Sequence, residues 1–107
     1  MAQFDVHANQ GQNRSAIPFV VVIQSARFDE SRTRLVAAFR SAPPGPLADP
    51  TLTPPFLVAG KRVILDPLQI VALPRASLGR VVASFADDKS SGAIINAIDA
   101  VITRAHG

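Results

Sequence analysis

The sequence predicts a mainly β fold, a small twisted sheet or barrel with one C-terminal helix packed over one face. The first observation behind this is a pair of apolar segments, residues 17–25 and 33–39, joined by a polar connection at residues 26–32. The second is a single amphipathic segment at the end of the chain, which follows a series of short β-prone segments. At this length we expect one domain over residues 1–107.

The first apolar segment contains an unbroken β-branched run at residues 20–23. Such a run is typical of a strand that is buried on both faces rather than of an amphipathic helix. The connection at residues 26–32 is longer than a two-residue turn, which predicts an antiparallel pair joined by a protruding loop. A central strand of this kind needs neighbouring strands on both sides, and the rest of the chain has to supply them.

The flanking segments supply candidate neighbours. Apolar Phe4, Val6 and Ala8 alternate with polar residues, which predicts a half-buried strand with His7 on its polar face. Residues 9–15 are rich in Asn and Gly and predict a turn or mobile loop. The proline-rich residues 41–55 are expected to form a long irregular excursion, because proline cannot donate to a strand ladder.

A second hairpin follows. Residues 56–58 and 62–65 flank a turn at Gly60, and the Asp66-Pro67 pair is expected to end the second strand. Residues 68–73 fit either a strand or a single helical turn. Residues 80–85, after a turn at Leu78-Gly79, predict a further strand.

The last segment is the predicted helix. Apolar residues recur there at i, i+1, i+4, i+7, i+8 and i+11, and they form one stripe: Ile94, Ile95, Ile98, Val101, Ile102 and Ala105. Ser90 or Ser91 is the expected cap, with Asp87 and Asp88 near the positive end of the helix dipole. We expect the stripe to be core and its final turn to be free for a partner.

Composition limits the function. The chain has no cysteine, which excludes disulfides and thiolate metal sites and is compatible with a reducing cytoplasm. It contains no apolar run long enough for a membrane span and no signal-peptide pattern. The formal charge of +3 fits an acidic partner, including nucleic acid. The plainer alternative is a mildly basic surface on a small domain.

A string of short motifs in a fixed order covers nearly the whole chain: Gln3-Phe4-x-Val6, Pro18-Phe19-Val20-x-Val22-x-Gln24-Ser25, Thr33-Arg34-Leu35-Val36, Leu52-x-Pro54, Leu78-Gly79-x-Val81-Val82 and Ile94-Ile95-Asn96-Ala97-Ile98-Asp99. Their order and spacing resemble the CcdB family of toxins from toxin–antitoxin modules. The resemblance implies an SH3-like barrel with a C-terminal helix, a homodimer, and binding to the DNA gyrase A protein that traps the enzyme on cleaved DNA. It also implies neutralisation by a partly disordered CcdA-type antitoxin, no enzymatic activity, no cofactor, no membrane, and contact with DNA only through a partner.

The resemblance also implies a gyrase-contacting face, formed by the first strand, the segment after the Gln-Ser strand and the end of the helix. Carried over position by position, it comprises Gln3, Phe4, His7, Ser25, Arg27, Phe28, Asp99, Thr103, Arg104 and Ala105. His7 stands where the family has an aromatic residue, and the pair at 27–28 replaces two aliphatic residues. Residues 103–105 stand where the best-known member has Trp-Gly-Ile.

Arginines suggest a second contact region. We expect an acidic antitoxin to meet Arg14, Arg27, Arg32 and Arg34, the last three of which cluster around one loop. DNA phosphate is another acidic partner for that cluster, and a solvated hairpin tip is the alternative.

Two further functions stay open. An endoribonuclease toxin of the MazF and Kid type has the same barrel, and catalysis would need a general base, a general acid and a cation. The available side chains are His7, Arg14, Asp66, Arg75 and His106, but sequence spacing does not bring them together. Neither histidine has a metal-ligand spacing, and no phosphate-binding glycine loop is present. The other alternative is a homologue that has lost its action on gyrase.

Overall fold

The computed structural model describes residues 2–102 of the chain. In this part, six strands form one antiparallel sheet in the order β4-β5-β3-β2-β1-β6, and a helix follows. The elements are β1 (Asp5–Ala8), β2 (Phe19–Val22), β3 (Thr33–Ser41), β4 (Pro55–Val58), β5 (Lys61–Pro74), β6 (Val81–Ser84) and α1 (Asp88–Ile102), with short 3-10 turns at Ala26–Phe28 and Arg75–Ser77. The predicted mainly β class with a C-terminal helix is confirmed.

The sheet curls until its two ends meet. Phe56 of β4 lies against Phe85, which follows β6, with 4.8 Å between the ring centroids. Phe39 of β3 contacts both rings from the interior, at 5.3 Å and 6.0 Å. Tilted and edge-on aromatic contacts at these distances are favourable. The three rings therefore bring β4 close to β6, and the sheet becomes a nearly closed barrel.

Strand β2 is the centre of the sheet, as predicted. All four of its residues are buried, and it pairs with β1 on one side and β3 on the other. Val21 faces the larger core cluster, which includes Phe39 and Ile94. Val20 and Val22 face a smaller cluster on the opposite side of the sheet. The β-branched run is thus buried on both faces.

Strand β5 is longer than the sequence predicted. We expected Asp66-Pro67 to end this strand, and this is wrong, because β5 continues to Pro74. Residues 68–73, for which the sequence left a strand or a helical turn open, therefore form a strand. The ladder shifts instead, because Ala38 pairs with Asp66 whereas Ala37 pairs with Ile70. A bulge of this kind accommodates a residue without a backbone N–H, since the bulged residues are not needed as ladder donors.

The side chain of Asp66 holds this bulge together. Its carboxylate accepts hydrogen bonds from the backbone N–H of Leu68 at 3.0 Å and from Gln69 Nε2 at 2.8 Å. Arg40 Nε lies 2.9 Å from the same carboxylate. One acidic side chain therefore binds a backbone N–H within the bulge and also holds the side chain of Gln69.

Helix α1 begins differently from the prediction. The cap is Asp87 and not Ser90 or Ser91, because Asp87 Oδ2 accepts from the backbone N–H of Ser90 at 2.9 Å. The backbone N–H of Ser91 also donates to Asp87 O at 2.9 Å. The hydrogen bond from Ser90 lowers the pKa of the Asp87 carboxyl below its ordinary value of 3.8.

The apolar stripe of α1 is only partly core. Ile94 is fully buried, and Ile98 packs against the larger cluster. Ile95, Val101 and Ile102 are exposed, Ile102 to 66%. The prediction that the stripe is core is wrong for Ile95, whereas the exposure of Val101 and Ile102 agrees with the expected free final turn. The last member of the stripe, Ala105, lies outside the described residues.

Candidate protein-binding site

An apolar groove runs between α1 and the sheet, and we call it the helix groove. Its volume is about 180 Å³. On one side lie three apolar side chains, from β3 and from the residues that flank β1 and β2, and on the other side lie five residues of α1: Phe4, Ile23, Leu35, Ile94, Ile95, Ile98, Asp99 and Ile102. Asp99 supplies the one carboxylate among these lining residues. Ile102, another lining residue, directly precedes the predicted contact residues 103–105 in the sequence. Those three residues lie outside the described part of the chain.

Phe4 lies at this groove because its backbone is fixed on both sides. Its N–H donates to Val22 O at 2.7 Å, and its carbonyl accepts from the N–H of Phe85 at 3.0 Å. The residue adopts φ 69°, a left-handed conformation that is unusual for a phenylalanine. The two backbone hydrogen bonds to distant strands stabilise it there and bury the ring against Ile94 and Ile98.

Gln3 and the segment after β2 lie beside the groove. Gln3 Nε2 donates to the carbonyl of Ile23 at 3.2 Å, so the first predicted contact residue is tied to a lining residue. Two residues later, Ser25 Oγ accepts from the N–H of Arg27 at 3.2 Å and starts the 3-10 turn. That turn leaves Arg27 exposed and Phe28 57% exposed. Phe28 is therefore an exposed aromatic side chain on the segment that follows the groove residue Ile23.

Arg34 does not belong to the exposed arginine group. Its side chain is fully buried, Nη1 donates to Phe28 O at 2.7 Å, and Nη2 lies 2.8 Å from Asp29 Oδ1. The prediction of a solvated or antitoxin-binding Arg34 is therefore wrong. The guanidinium holds the loop that carries Arg27 and Phe28, because a fixed fork of donors can bind a carbonyl and a carboxylate together.

The remaining arginines lie at opposite ends of β3. Arg32 directly precedes the first residue of β3. Arg14 lies near the other end of the strand, because the last residue, Ser41, donates hydrogen bonds to the carbonyls of Ser15 and Ala16. A strand of nine residues separates these ends by about 25 Å. Arg14 instead shares a cleft of about 350 Å³ with Lys61, Asn9, Ser15, Pro18 and Phe19.

His7 is buried and faces away from the helix groove. Only 1% of its surface is exposed, and its Nδ1 lies 2.8 Å from Gly79 O. It pairs with Val20, a member of the smaller cluster on the other side of the sheet. Gly79 can approach this closely because it lacks a side chain, since a Cβ there would lie 2.6 Å from Ala8 O. The expected polar-face position of His7 is wrong, and His7 does not line the helix groove.

The structure also locates the residues considered for catalysis. His7 is enclosed by the sheet, Asp66 is engaged by Arg40, Arg75 starts the second 3-10 turn, and His106 lies outside the described residues. Over residues 2–102, no group of three or more His, Cys, Asp or Glu side chains is arranged to hold a metal ion. The helix found in that range is too short and too polar to cross a membrane.

The family of the chain follows from a comparison of its sequence with protein-family models. The family described as CcdB protein matches residues 3–104. This chain belongs to the CcdB family. A search of curated protein sequences found no match.

Two solved structures share the fold of this CcdB-family chain. One is described as an endoribonuclease in complex with its cognate antitoxin from Mycobacterial species, with a TM-score of 0.70, 10% identity, and coverage of 94% of this chain and 92% of that one. The other is the Mycobacterium tuberculosis toxin MazF-mt6, with a TM-score of 0.68, 15% identity, and coverage of 90% and 93%. At these identities the likeness establishes the fold, and the SH3-like barrel class is confirmed.

Sequence reasoning missed several residues of the helix groove. Ile23 and Leu35 line it from the sheet, and Ile95 and Ile102 line it from the helix. The available signal is the alternation along β3, which puts Leu35 on the same face as Ala37 and Phe39. The helical periodicity predicts that the apolar residues of α1 share one face. It does not show which of them contact the core and which remain exposed.

Proposed function

We propose that this chain is the toxin of a type II toxin–antitoxin system that binds the DNA gyrase A protein and traps the gyrase–DNA cleaved complex. The observation that carries the proposal is the exposed apolar end of α1 beside the helix groove, in a chain of the CcdB family. It acts in the cytoplasm as a protein ligand and not as an enzyme.

The helix groove supports a protein partner. Ile95 and Ile102 on the helix side of the groove are 44% and 66% exposed, and Leu35 across the groove is 38% exposed. Contiguous apolar surface of this kind is typical of binding sites, because burying it on association releases the water that covers it. Asp99 at the groove gives one charged group that can fix the orientation of a bound partner.

The proposed mechanism is thermodynamic rather than chemical. A ligand that binds gyrase more tightly in its cleaved, opened state shifts the population toward that state without breaking a bond. A homodimer presents two copies of the helix groove, and a two-fold toxin matches the two-fold axis of its target. The toxin therefore acts as a homodimer in this proposal.

An antitoxin of the CcdA type fits the distribution of charge. Arg27 and Arg32 are exposed at one end of β3, and Arg14 and Lys61 share a cleft at the other end. A partner that reaches both regions has to span about 25 Å. A disordered acidic segment can do this, because it gains from electrostatic attraction and orders as it binds.

The test is expression of the chain in a gyrase-bearing host, with plasmid linearisation and RNA integrity measured together. We expect linear plasmid and intact RNA. Degraded RNA without linear plasmid would favour the endoribonuclease alternative, and neither effect would favour a homologue that has lost its target. Ile102→Asp should abolish linearisation, while Leu57→Asp is the matched control, because Leu57 on β4 is equally exposed at 65% and does not line the groove.

A further inference from the structure

The cleft that contains Arg14 and Lys61 lies at one end of the barrel, and we call it the basic cleft. Its volume is about 350 Å³. Its lining residues come from β1–β2 and the start of β5: Asn9, Arg14, Ser15, Pro18, Phe19 and Lys61. Two of these residues are cations and none is acidic, so the cleft favours an anionic ligand.

The loop that forms one wall of the basic cleft is fixed by hydrogen bonds. Ser41, at the end of β3, donates from its Oγ to Ser15 O at 3.2 Å and from its N–H to Ala16 O at 3.0 Å. On the other side of the loop, Asn9 Nδ2 donates to Ile17 O at 2.7 Å. A ligand therefore binds without first having to order this wall.

The two cations of the basic cleft are available to a ligand. Both side chains are exposed, and Arg14 makes one long hydrogen bond, from Nη1 to Gly11 O at 3.3 Å. Over residues 2–102, the ion pairs involve the other cations Arg34 and Arg40. An anion can thus pair with Arg14 and Lys61 without breaking an existing ion pair.

Two further exposed cations lie beside the basic cleft. Arg62 follows Lys61 on β5. The carbonyl of Arg80 accepts from the N–H of Ala8, which precedes Asn9 of the cleft, at 3.2 Å. Four cations at one end of a small barrel produce a positive potential that extends beyond the cleft itself.

The basic cleft is separate from the helix groove. Leu35 of the groove lies near the start of β3, whereas Ser41, which binds the cleft loop, is its last residue. The strand rises about 20 Å between these two residues. A protein bound at the helix groove therefore leaves the basic cleft accessible.

We propose that the basic cleft binds the phosphodiester backbone of a nucleic acid, with the Arg14 guanidinium and the Lys61 ammonium paired to phosphate oxygens. This inference goes beyond the proposed action on gyrase and does not depend on it. It also differs from the resemblance to the CcdB family, which implies contact with DNA only through a partner. Arginine suits this role because its fork of donors matches the oxygens of a phosphate.

The composition of the cleft favours a phosphate backbone over an acidic peptide. A disordered peptide has to bury apolar surface to offset the entropy of its ordering. The one aromatic residue of the cleft, Phe19, is only 7% exposed and offers little such surface. Binding to a phosphate backbone needs no apolar surface, because the release of condensed counterions drives it. An acidic antitoxin segment that passes over Arg14 would compete for the cleft by charge alone.

The same composition predicts binding without sequence preference. Recognition of single-stranded bases needs an exposed aromatic ring for stacking, and the buried Phe19 does not provide one. Contacts to phosphate oxygens carry no direct sequence information. We therefore expect duplexes of different base sequence to bind the chain with equal affinity.

Fluorescence anisotropy of a short labelled DNA duplex, titrated with the full chain at several salt concentrations, tests the proposal. Replacing Arg14 and Lys61 together by glutamine should raise the dissociation constant at least tenfold. The slope of log affinity against log salt should become shallower by roughly 2, because each phosphate contact contributes about 0.9. Circular dichroism shows whether the variant is folded.

The matched control replaces Arg75 and Lys89 together by glutamine. This variant also loses one arginine and one lysine, so its net charge changes equally. Arg75 lies at the other end of β3, since its N–H donates to Arg32 O, and Lys89 lies in the first turn of α1. Neither residue lines the basic cleft, and we expect the control to bind the duplex about as tightly as the wild type.

Unlabelled competitors identify the chemistry of the ligand. Single-stranded RNA should displace the duplex, because it has the same phosphodiester groups, though less effectively because its charge density is lower. Poly-glutamate, which carries carboxylates instead, should need at least a tenfold higher concentration of charge than unlabelled duplex.

Each result supports or overturns the inference. A wild-type chain that does not bind the duplex at low salt overturns it. So does equal weakening in the two double variants, which would assign the binding to overall charge. If poly-glutamate displaces the duplex as well as DNA does, the cleft belongs to an acidic peptide and the inference is wrong.

Discussion

Arg34 and Asp29 form an ion pair of 2.8 Å in which the guanidinium is fully buried and the carboxylate is 42% exposed. The same guanidinium binds the carbonyl of Phe28 at 2.7 Å. A single buried cation thereby fixes the loop that presents Arg27 and Phe28 to solvent. The stability of the fold and the shape of the proposed binding surface thus depend on the same side chain.

Arg34→Met should destabilise the protein and disorder this loop. The substitution keeps the apolar part of the side chain but removes the guanidinium that donates to the Phe28 carbonyl. The Asp29 carboxylate also loses its ion-pair partner, and hydration compensates for that loss only in part. We expect the free energy of unfolding in urea to fall by about 2 kcal/mol. Arg32→Met is the control, because an exposed substitution changes stability by about 0.5 kcal/mol or less. Equal unfolding midpoints for the two variants would contradict this role of Arg34.

Truncation after Ile102 should weaken gyrase binding and leave the fold intact. It removes residues 103–107, while the buried Ile94 and Ala97 keep the helix packed on the barrel. We expect the affinity for the gyrase A protein to fall at least tenfold, about 1.4 kcal/mol, in a titration of the purified proteins. A truncated chain that traps cleaved gyrase as well as the full chain would show that the contact does not extend beyond Ile102.

Replacement of Arg27 and Arg32 together by alanine should weaken binding of the cognate antitoxin and reduce the salt dependence of its association rate. Arg14→Ala should do the same through a separate contact, and because the two regions lie about 25 Å apart the effects should add. Stopped-flow association at two salt concentrations measures both effects. Unchanged rates in all variants would identify these arginines as solvated surface.

Asp87→Ala should lower the melting temperature by removing the cap of α1. The pKa of Asp87 is lowered in the folded protein, so its stabilising effect is present above its ordinary value of 3.8 and is lost as the pH falls through the folded-state value. The difference in melting temperature between wild type and variant should therefore shrink in acid. Asp88→Ala is the neighbouring control, because the side chain that accepts from the Ser90 N–H is that of Asp87. A pH-independent difference would contradict the capping role.

The sequence by itself determined the local elements and the family. Unbroken apolar runs, period-2 alternation and a helical stripe predict β2, β3, β1 and α1, because each pattern reports on residues that are neighbours along the chain. The order of short motifs predicted the CcdB family, which the match over residues 3–104 confirms. The turn at Gly60 is also correct, since a left-handed φ of 80° there favours glycine.

Only the tertiary structure decided which polar side chains are buried and which apolar ones are exposed. His7 is enclosed because Gly79, 72 residues later, provides its hydrogen-bond partner. Strand β5 passes through Pro67 because Asp66 meets Arg40 of β3 at the bulge. Ile102 belongs to the same stripe as Ile94 but extends past the end of the core. The partners of His7 and Asp66 come from distant parts of the chain, and the extent of the core beside Ile102 is likewise set by distant strands. Local periodicity carries no information about either.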